Sequence, residues 1–87
     1  MLEKKIIVNN ETGIHARPAS LLVKEATKFK SEFFIVKDGN EYNCKSIMSV
    51  MSMGAKKGEE ITVKVFGEDE IEAFEAMTSL IERGFDE

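Results

Sequence analysis

Ser31-Glu32-Phe33-Phe34-Ile35-Val36-Lys37-Asp38-Gly39-Asn40-Glu41-Tyr42-Asn43-Cys44 is the stretch that decides the fold. Two strand-forming runs, Ser31 to Lys37 and Glu41 to Cys44, flank Asp38-Gly39. Both turn positions tolerate positive φ, so the segment reads as a hairpin joining strands two and three. Upstream, Leu2, Ile6 and Val8 share parity and mark a first strand over Leu2 to Val8. Between that strand and the hairpin, Ala19, Leu22, Val23, Ala26 and then Phe29 or Lys30 recur at helical spacing, which predicts a first helix over about Ala16 to Lys28. Downstream, Ser46 to Met53 reads as a short helix, with Ser46 as N-cap and Gly54 as its stop. Ile61, Val63 and Val65 alternate with Glu60, Thr62 and Lys64 and give a fourth strand with one buried face. Asp69 followed by Glu72 has the spacing of a capping box. It opens a last helix whose apolar stripe is Ile71, Ala73, Phe74, Met77, Leu80 and Ile81, before Gly84.

The resulting order is βαββαβα. Strand one, helix and strand two form a right-handed crossover, and strand four slots between strands one and two. The expectation is an α+β open-faced β-sandwich: a four-stranded antiparallel sheet, order 1-4-2-3, covered on one face by three helices. With 87 residues, 43% of them hydrophobic, the chain reads as one domain over residues 1–87 with a single core and no need of staples.

Charge and composition narrow the function. Twelve Lys and Arg against sixteen Asp and Glu give a net charge of −4, which disfavours direct nucleic-acid binding. A single cysteine, Cys44, has no internal partner for a disulfide and reads as a small strand-end residue. No charged-then-apolar leader or long apolar span is visible, so a cytoplasmic protein without membrane insertion is expected. No metal site and no cofactor are expected.

The chemistry concentrates in Gly13-Ile14-His15-Ala16-Arg17-Pro18-Ala19. Pro18 has a fixed φ and no N–H and is tolerated in a first helical turn, so the helix should open near Ala16. The unpaired backbone amides there, those of Ala16 and Arg17, form with the helix dipole an anion site next to His15, the only histidine. A neutral imidazole is a nucleophile at neutral pH. Arg17 would neutralise an arriving phosphate, and Gly13 permits the tight backbone path just before it. Read from these residues alone, His15 is as compatible with an ordinary turn histidine, and the chain with a small α+β binding module that transfers no phosphoryl group.

Together with Lys45-Ser46-Ile47-Met48-Ser49-Val50-Met51, the histidine motif resembles those of the HPr family, the histidine phosphocarriers of the bacterial phosphoenolpyruvate-dependent sugar phosphotransferase system, over essentially the whole chain. The resemblance implies that His15 takes a phosphoryl group from enzyme I on its δ1 nitrogen and hands it to enzyme IIA domains. Arg17 would then stabilise charge, and the protein would be a carrier on which enzymes act, not itself an enzyme. It further implies that Ser46 is a regulatory serine phosphorylated by HPr kinase/phosphorylase. The serine-phosphorylated form would serve as corepressor for a catabolite control transcription factor. In the family the second helix also carries a docking patch, here Ile47, Met48 and Met51, expected to be split between core and surface. Lys24, with Lys28 and Lys45, would ring that patch with positive charge. Two departures from the family pattern are Ser49, where glycine is frequent, and Met53, where leucine is common. A nitrogen-branch regulatory paralogue and a serine-only catabolite-repression relative are the neighbouring alternatives; Lys45-Ser46-Ile47-Met48 weighs against the first and His15 against the second. A monomer is expected of a diffusing carrier.

Overall fold

The computed structural model describes residues 1–87. Its elements are β1 (Leu2–Ile7), α1 (Ala16–Ala26), β2 (Glu32–Lys37), β3 (Asn40–Asn43), α2 (Ile47–Met53), β4 (Glu60–Phe66) and α3 (Glu70–Glu82), with a short 3₁₀ turn over Gly84–Asp86. The sheet runs β1-β4-β2-β3, with every neighbouring pair antiparallel. This is the expected α+β arrangement, with β4 inserted between β1 and β2.

The hairpin forms for the anticipated reason: Asp38 at φ 52° and Gly39 at φ 80° both take the left-handed backbone of a tight turn. β2 and β4 then meet in a register that places Ile35 opposite Val63 and Phe33 opposite Val65. These four side chains lie fully buried beneath the helices, with Ile61 beside them. Covering them from the helical side are Ala19, Leu22 and Ala26 of α1, Val50 and Met53 of α2, and Ala73, Met77, Leu80 and Ile81 of α3. Each large side chain removed from water here contributes ~1.5–3 kcal/mol, which fixes which face of each helix turns inward.

Several details differ from the sequence reading, and β2 begins at Glu32, one residue later than expected. α1 stops at Ala26 instead of Lys28, because the Thr27 hydroxyl and the Lys28 and Phe29 amides close the last turn on carbonyls of α1. β1 stops at Ile7, one residue short of Val8, although the Val8 side chain is buried as expected. β3 comes one residue early, and Cys44 follows it as a buried residue whose amide donates to the Phe33 carbonyl.

Ile71 does not join the core. It is 66% exposed because, at ~100° per residue, it lies about 180° around α3 from Leu80. Asp69 precedes α3, yet its carboxylate does not cap it. Instead it accepts bonds from the Ser31 amide at 2.9 Å, the Ser31 hydroxyl at 2.5 Å and the Lys30 amide at 3.0 Å. The Ser31 hydroxyl bond, followed by the Lys30 amide, holds the Asp69 carboxyl below the usual carboxylate range. The predicted capping box is therefore a clamp between the start of β2 and the start of α3.

No helix is long and apolar enough to cross a membrane.

Candidate functional site

His15 is the residue that precedes α1, in extended conformation at φ −97° and ψ −157°. Its backbone carbonyl accepts the first helical bond, from the Ala19 amide at 2.8 Å. Pro18 carries no N–H, so the amides of Ala16 and Arg17 are the two donors of the opening turn with no partner in the protein. His15, Ala16 and Arg17 are all exposed, and neither the imidazole nor the guanidinium is engaged in a hydrogen bond or ion pair. Two amides, a free guanidinium and an uncommitted imidazole therefore belong to three consecutive residues at the start of α1. Such donors favour a doubly charged phosphoryl group.

The loop entering α1 is tightly specified. Gly13 has φ 66°, and a Cβ there would come within 2.5 Å of the Ala55 carbonyl oxygen. Only glycine satisfies both the left-handed backbone and that approach. The next residue, Ile14, is buried and donates its amide to the same Ala55 oxygen at 2.8 Å. An open cleft of about 370 Å³ beside the imidazole is lined by Thr12, Ile14, His15, Gly54, Ala55 and Lys56. Lys56 was not anticipated as part of the site. Its exposed side chain forms no ion pair, whereas the adjacent Lys57 is paired with Glu11 at 2.6 Å. That pairing lowers the Glu11 carboxyl from its ordinary value. Sequence carries only the Lys56-Lys57 doublet as a signal, and the distance from His15 along the chain hides it.

Gly54, at φ 62°, stops α2 and borders the same cleft. Ser46 lies at the other end of this seven-residue helix, about 12 Å away along its axis. As expected it is the N-cap: its hydroxyl oxygen accepts from the Ser49 amide at 3.2 Å. Ser49 has its own task, accepting from the Asn43 amide at 3.0 Å and tying α2 to the end of β3. Met53, the other departure from the family pattern, fills the core at 4% exposure.

The expected split between core and surface does not fall among Ile47, Met48 and Met51. Val50 and Met53 go to the core, while Ile47, Met48 and Met51 are all exposed, at 39%, 76% and 43%. An exposed apolar surface of this kind on a short helix is a marker of interaction. The lysine ring is reduced to one member. Lys24 on α1 is exposed and unpaired, but Lys28 pairs with Glu25 at 3.2 Å. Lys45 turns inward, donating to the Phe29 carbonyl at 3.0 Å with its ammonium 5.9 Å from the Phe33 ring centroid. Cys44 beside it takes no part: burial pushes its thiol up to about 12.

Comparison with known proteins agrees with this geometry. Residues 2–83 match the family described as "PTS HPr component phosphorylation site". The chain is 49% identical over 83 residues to the HPr-like protein Crh of Halalkalibacterium halodurans, covering 95% of this chain and 99% of that one. It is 45% identical over 84 residues to the phosphocarrier protein HPr of Mycoplasma pneumoniae, covering 95% and 96% of the two chains. Among solved structures, HPr-C-His from Thermoanaerobacter tengcongensis superposes with a TM-score of 0.95 at 45% identity, over 100% of this chain and 98% of that one. A structure described as an HPr dimer from the same organism superposes at 0.79, at 45% identity and with full coverage of both chains. An exposed histidine at a helix start, on this sheet and with these relatives, has one consistent reading: the chain belongs to the HPr family of phosphotransferase-system phosphocarriers.

Proposed function

We propose that residues 1–87 act as one HPr-like phosphocarrier domain, in which His15 accepts a phosphoryl group from phospho-enzyme I and passes it to enzyme IIA domains. The observation that carries this reading is the imidazole itself, exposed and uncommitted beside two unpaired amides and the free Arg17 guanidinium. A ring nitrogen lone pair forms the new N–P bond as the bond between phosphorus and the donor's nitrogen breaks. The Ala16 and Arg17 amides and the guanidinium spread the charge on the phosphoryl oxygens. No base is required, because the attacking nitrogen already holds a free pair. The carrier binds no metal or cofactor in this scheme and works in the cytoplasm as a monomer, although relatives crystallise as dimers.

Docking of both enzymes falls to the exposed Ile47, Met48 and Met51, with Lys24, Arg17 and Lys56 drawing in acidic surfaces despite the net charge of −4. Met side chains adapt to more than one partner, which suits a carrier that meets a donor and several acceptors. Ser46 is the control point. Phosphorylation there by HPr kinase/phosphorylase adds about −1.5 to −2 charges at the edge of this face and repels the same acidic surfaces. The serine-phosphorylated form would then serve a catabolite control transcription factor.

The second reading is the serine-only catabolite-repression relative, in which Ser46 alone is used and His15 is silent; the chain is 49% identical to a protein named HPr-like protein Crh, while the presence of His15 weighs against this reading. One pair of reactions separates them. Phosphoenolpyruvate with enzyme I, followed by an enzyme IIA domain, should load the protein with acid-labile phosphate and then unload it. ATP with HPr kinase/phosphorylase should give acid-stable phosphate. Acid-stable product alone would establish the second reading and exclude the first.

A further inference from the structure

The loop that presents His15 is also held from outside, by the segment that follows α3. Gly84, Phe85 and Asp86 all have positive φ, at 68°, 58° and 60°. For Phe85 and Asp86 this is a strained backbone, and strain persists only where the surroundings impose it. Here the surroundings are visible. Phe85 is buried in the core, and an Arg83–Asp86 ion pair at 3.0 Å braces the turn. Asn9 donates its side-chain amide to the Glu82 carbonyl at 3.0 Å.

The product of this turn is the position of Glu87. Its carboxylate accepts from the Thr12 hydroxyl at 2.9 Å and from the Asn10 side-chain amide at 3.3 Å. That same Asn10 amide also donates to the Gly13 carbonyl at 2.7 Å. Asn10 is 5% exposed, and its own oxygen is buried without a partner. The Asn10 side-chain N–H groups are spent on Gly13, Thr12 and Glu87, and its backbone carbonyl accepts from the Gly13 amide at 3.1 Å. The His15 imidazole makes no hydrogen bond, so its position is set by the backbone that these contacts hold.

We propose that Asn10, Thr12 and Glu87 form a latch in which the Glu87 carboxylate fixes the Thr12–Gly13 backbone and thereby positions His15 for phosphoryl transfer. The latch rests on the carrier reading above. Its members are positioning residues: they act through the loop and need not touch the phosphoryl group. Without the carboxylate the Thr12 hydroxyl keeps only its long bond to the Gly13 carbonyl at 3.4 Å, and the loop keeps its inner anchors: the Ile14 amide on Ala55, the Gly13 amide on the Asn10 carbonyl and the Asn10 side-chain bond to Gly13.

The test uses the full chain as wild type, Thr12→Val, Thr12→Ser, Glu87→Ala and the Thr12→Val/Glu87→Ala double variant. Each is assayed for phosphorylation by enzyme I and phosphoenolpyruvate, and, unphosphorylated, for backbone order of residues 12–16 by ¹⁵N heteronuclear NOE. Either single loss should lower kcat roughly tenfold with KM for the carrier unchanged, since the α2 face is untouched. Thr12→Ser should restore the wild-type rate, and the double variant should be no slower than either single one. Reduced NOE values should be confined to the loop. Wild-type kcat in both single variants, or a double variant whose losses multiply, would overturn the latch while leaving the carrier reading standing. Should the wild type accept no phosphoryl group, the carrier reading falls, and the NOE alone decides the latch: lowered values support it and unchanged values end it.

Discussion

Gly13, a residue without a side chain, sets the path of the loop that leads to His15. Its left-handed backbone and its approach to the Ala55 carbonyl both exclude a Cβ, so Gly13→Ala must move either the loop or residues 55–56. Strained backbone of this kind costs ~1–3 kcal/mol, and we expect Gly13→Ala to lower unfolding free energy in urea by about 2 kcal/mol. The glycine was legible in the sequence as a tight turn ahead of the histidine. Its second constraint was not, because Ala55 is more than forty positions away and only the fold brings the two together. The same gap hid Lys56, which reaches the His15 cleft from beyond α2. Lys45 illustrates the opposite error: a lysine beside a docking motif reads as surface charge, yet here its ammonium closes on the Phe29 carbonyl. Periodicity records whether a position faces in or out, and not which carbonyl a long side chain finds.

At the scale of elements, the strands and helices were readable almost throughout, because local pattern and turn chemistry agreed along the chain. The Asp38-Gly39 turn, the Ser46 cap and the Gly54 stop each act as the sequence indicates. Where reading failed, a tertiary contact had taken over a local group. Asp69 is the clearest case: a residue at the spacing of a capping box gives its oxygens to Ser31 and Lys30 across the fold. That clamp has a pH signature. The folded-state carboxyl lies below its unfolded value, so the clamp's stabilisation is fully present above about pH 4 and is lost as pH falls through the lowered folded value. Ser31→Ala removes the largest cause of the lowering. Its destabilisation relative to wild type should be greatest at pH 5–7 and shrink toward pH 2, measured by urea unfolding at each pH.

Ser46 sits at the same scale. Ser46→Ala removes the acceptor for the Ser49 amide and should cost about 1 kcal/mol of stability. Ser46→Asp retains a capping oxygen and should leave stability nearly unchanged while slowing phosphorylation by enzyme I. An unaltered transfer rate in Ser46→Asp would remove the support for Ser46 as a control point.

For the molecule as a whole, the sheet and its helices act as a rigid base that brings the start of α1 and the end of α2 to the same cleft. The face of α2 that carries Ile47, Met48 and Met51 lies outside the buried core and is exposed. Met48, at 76% exposure, can be changed without disturbing packing. Met48→Asp should therefore shift the urea midpoint negligibly yet raise KM for phosphorylation by enzyme I several-fold, roughly the loss of 1 kcal/mol or more at a docking contact. The family and the fold were legible from the two motifs and the element order. Which apolar residues were left outside the core required the three-dimensional packing.

Whether His15 carries a phosphoryl group is decided by intact-protein mass spectrometry. Wild type and His15→Ala are incubated with phosphoenolpyruvate, magnesium and enzyme I from the same organism, then measured before and after brief acid treatment. The account predicts the gain of one acid-labile phosphoryl group in the wild type and none in His15→Ala, with both proteins folded. No gain in the wild type, or an equal gain in His15→Ala, would contradict it.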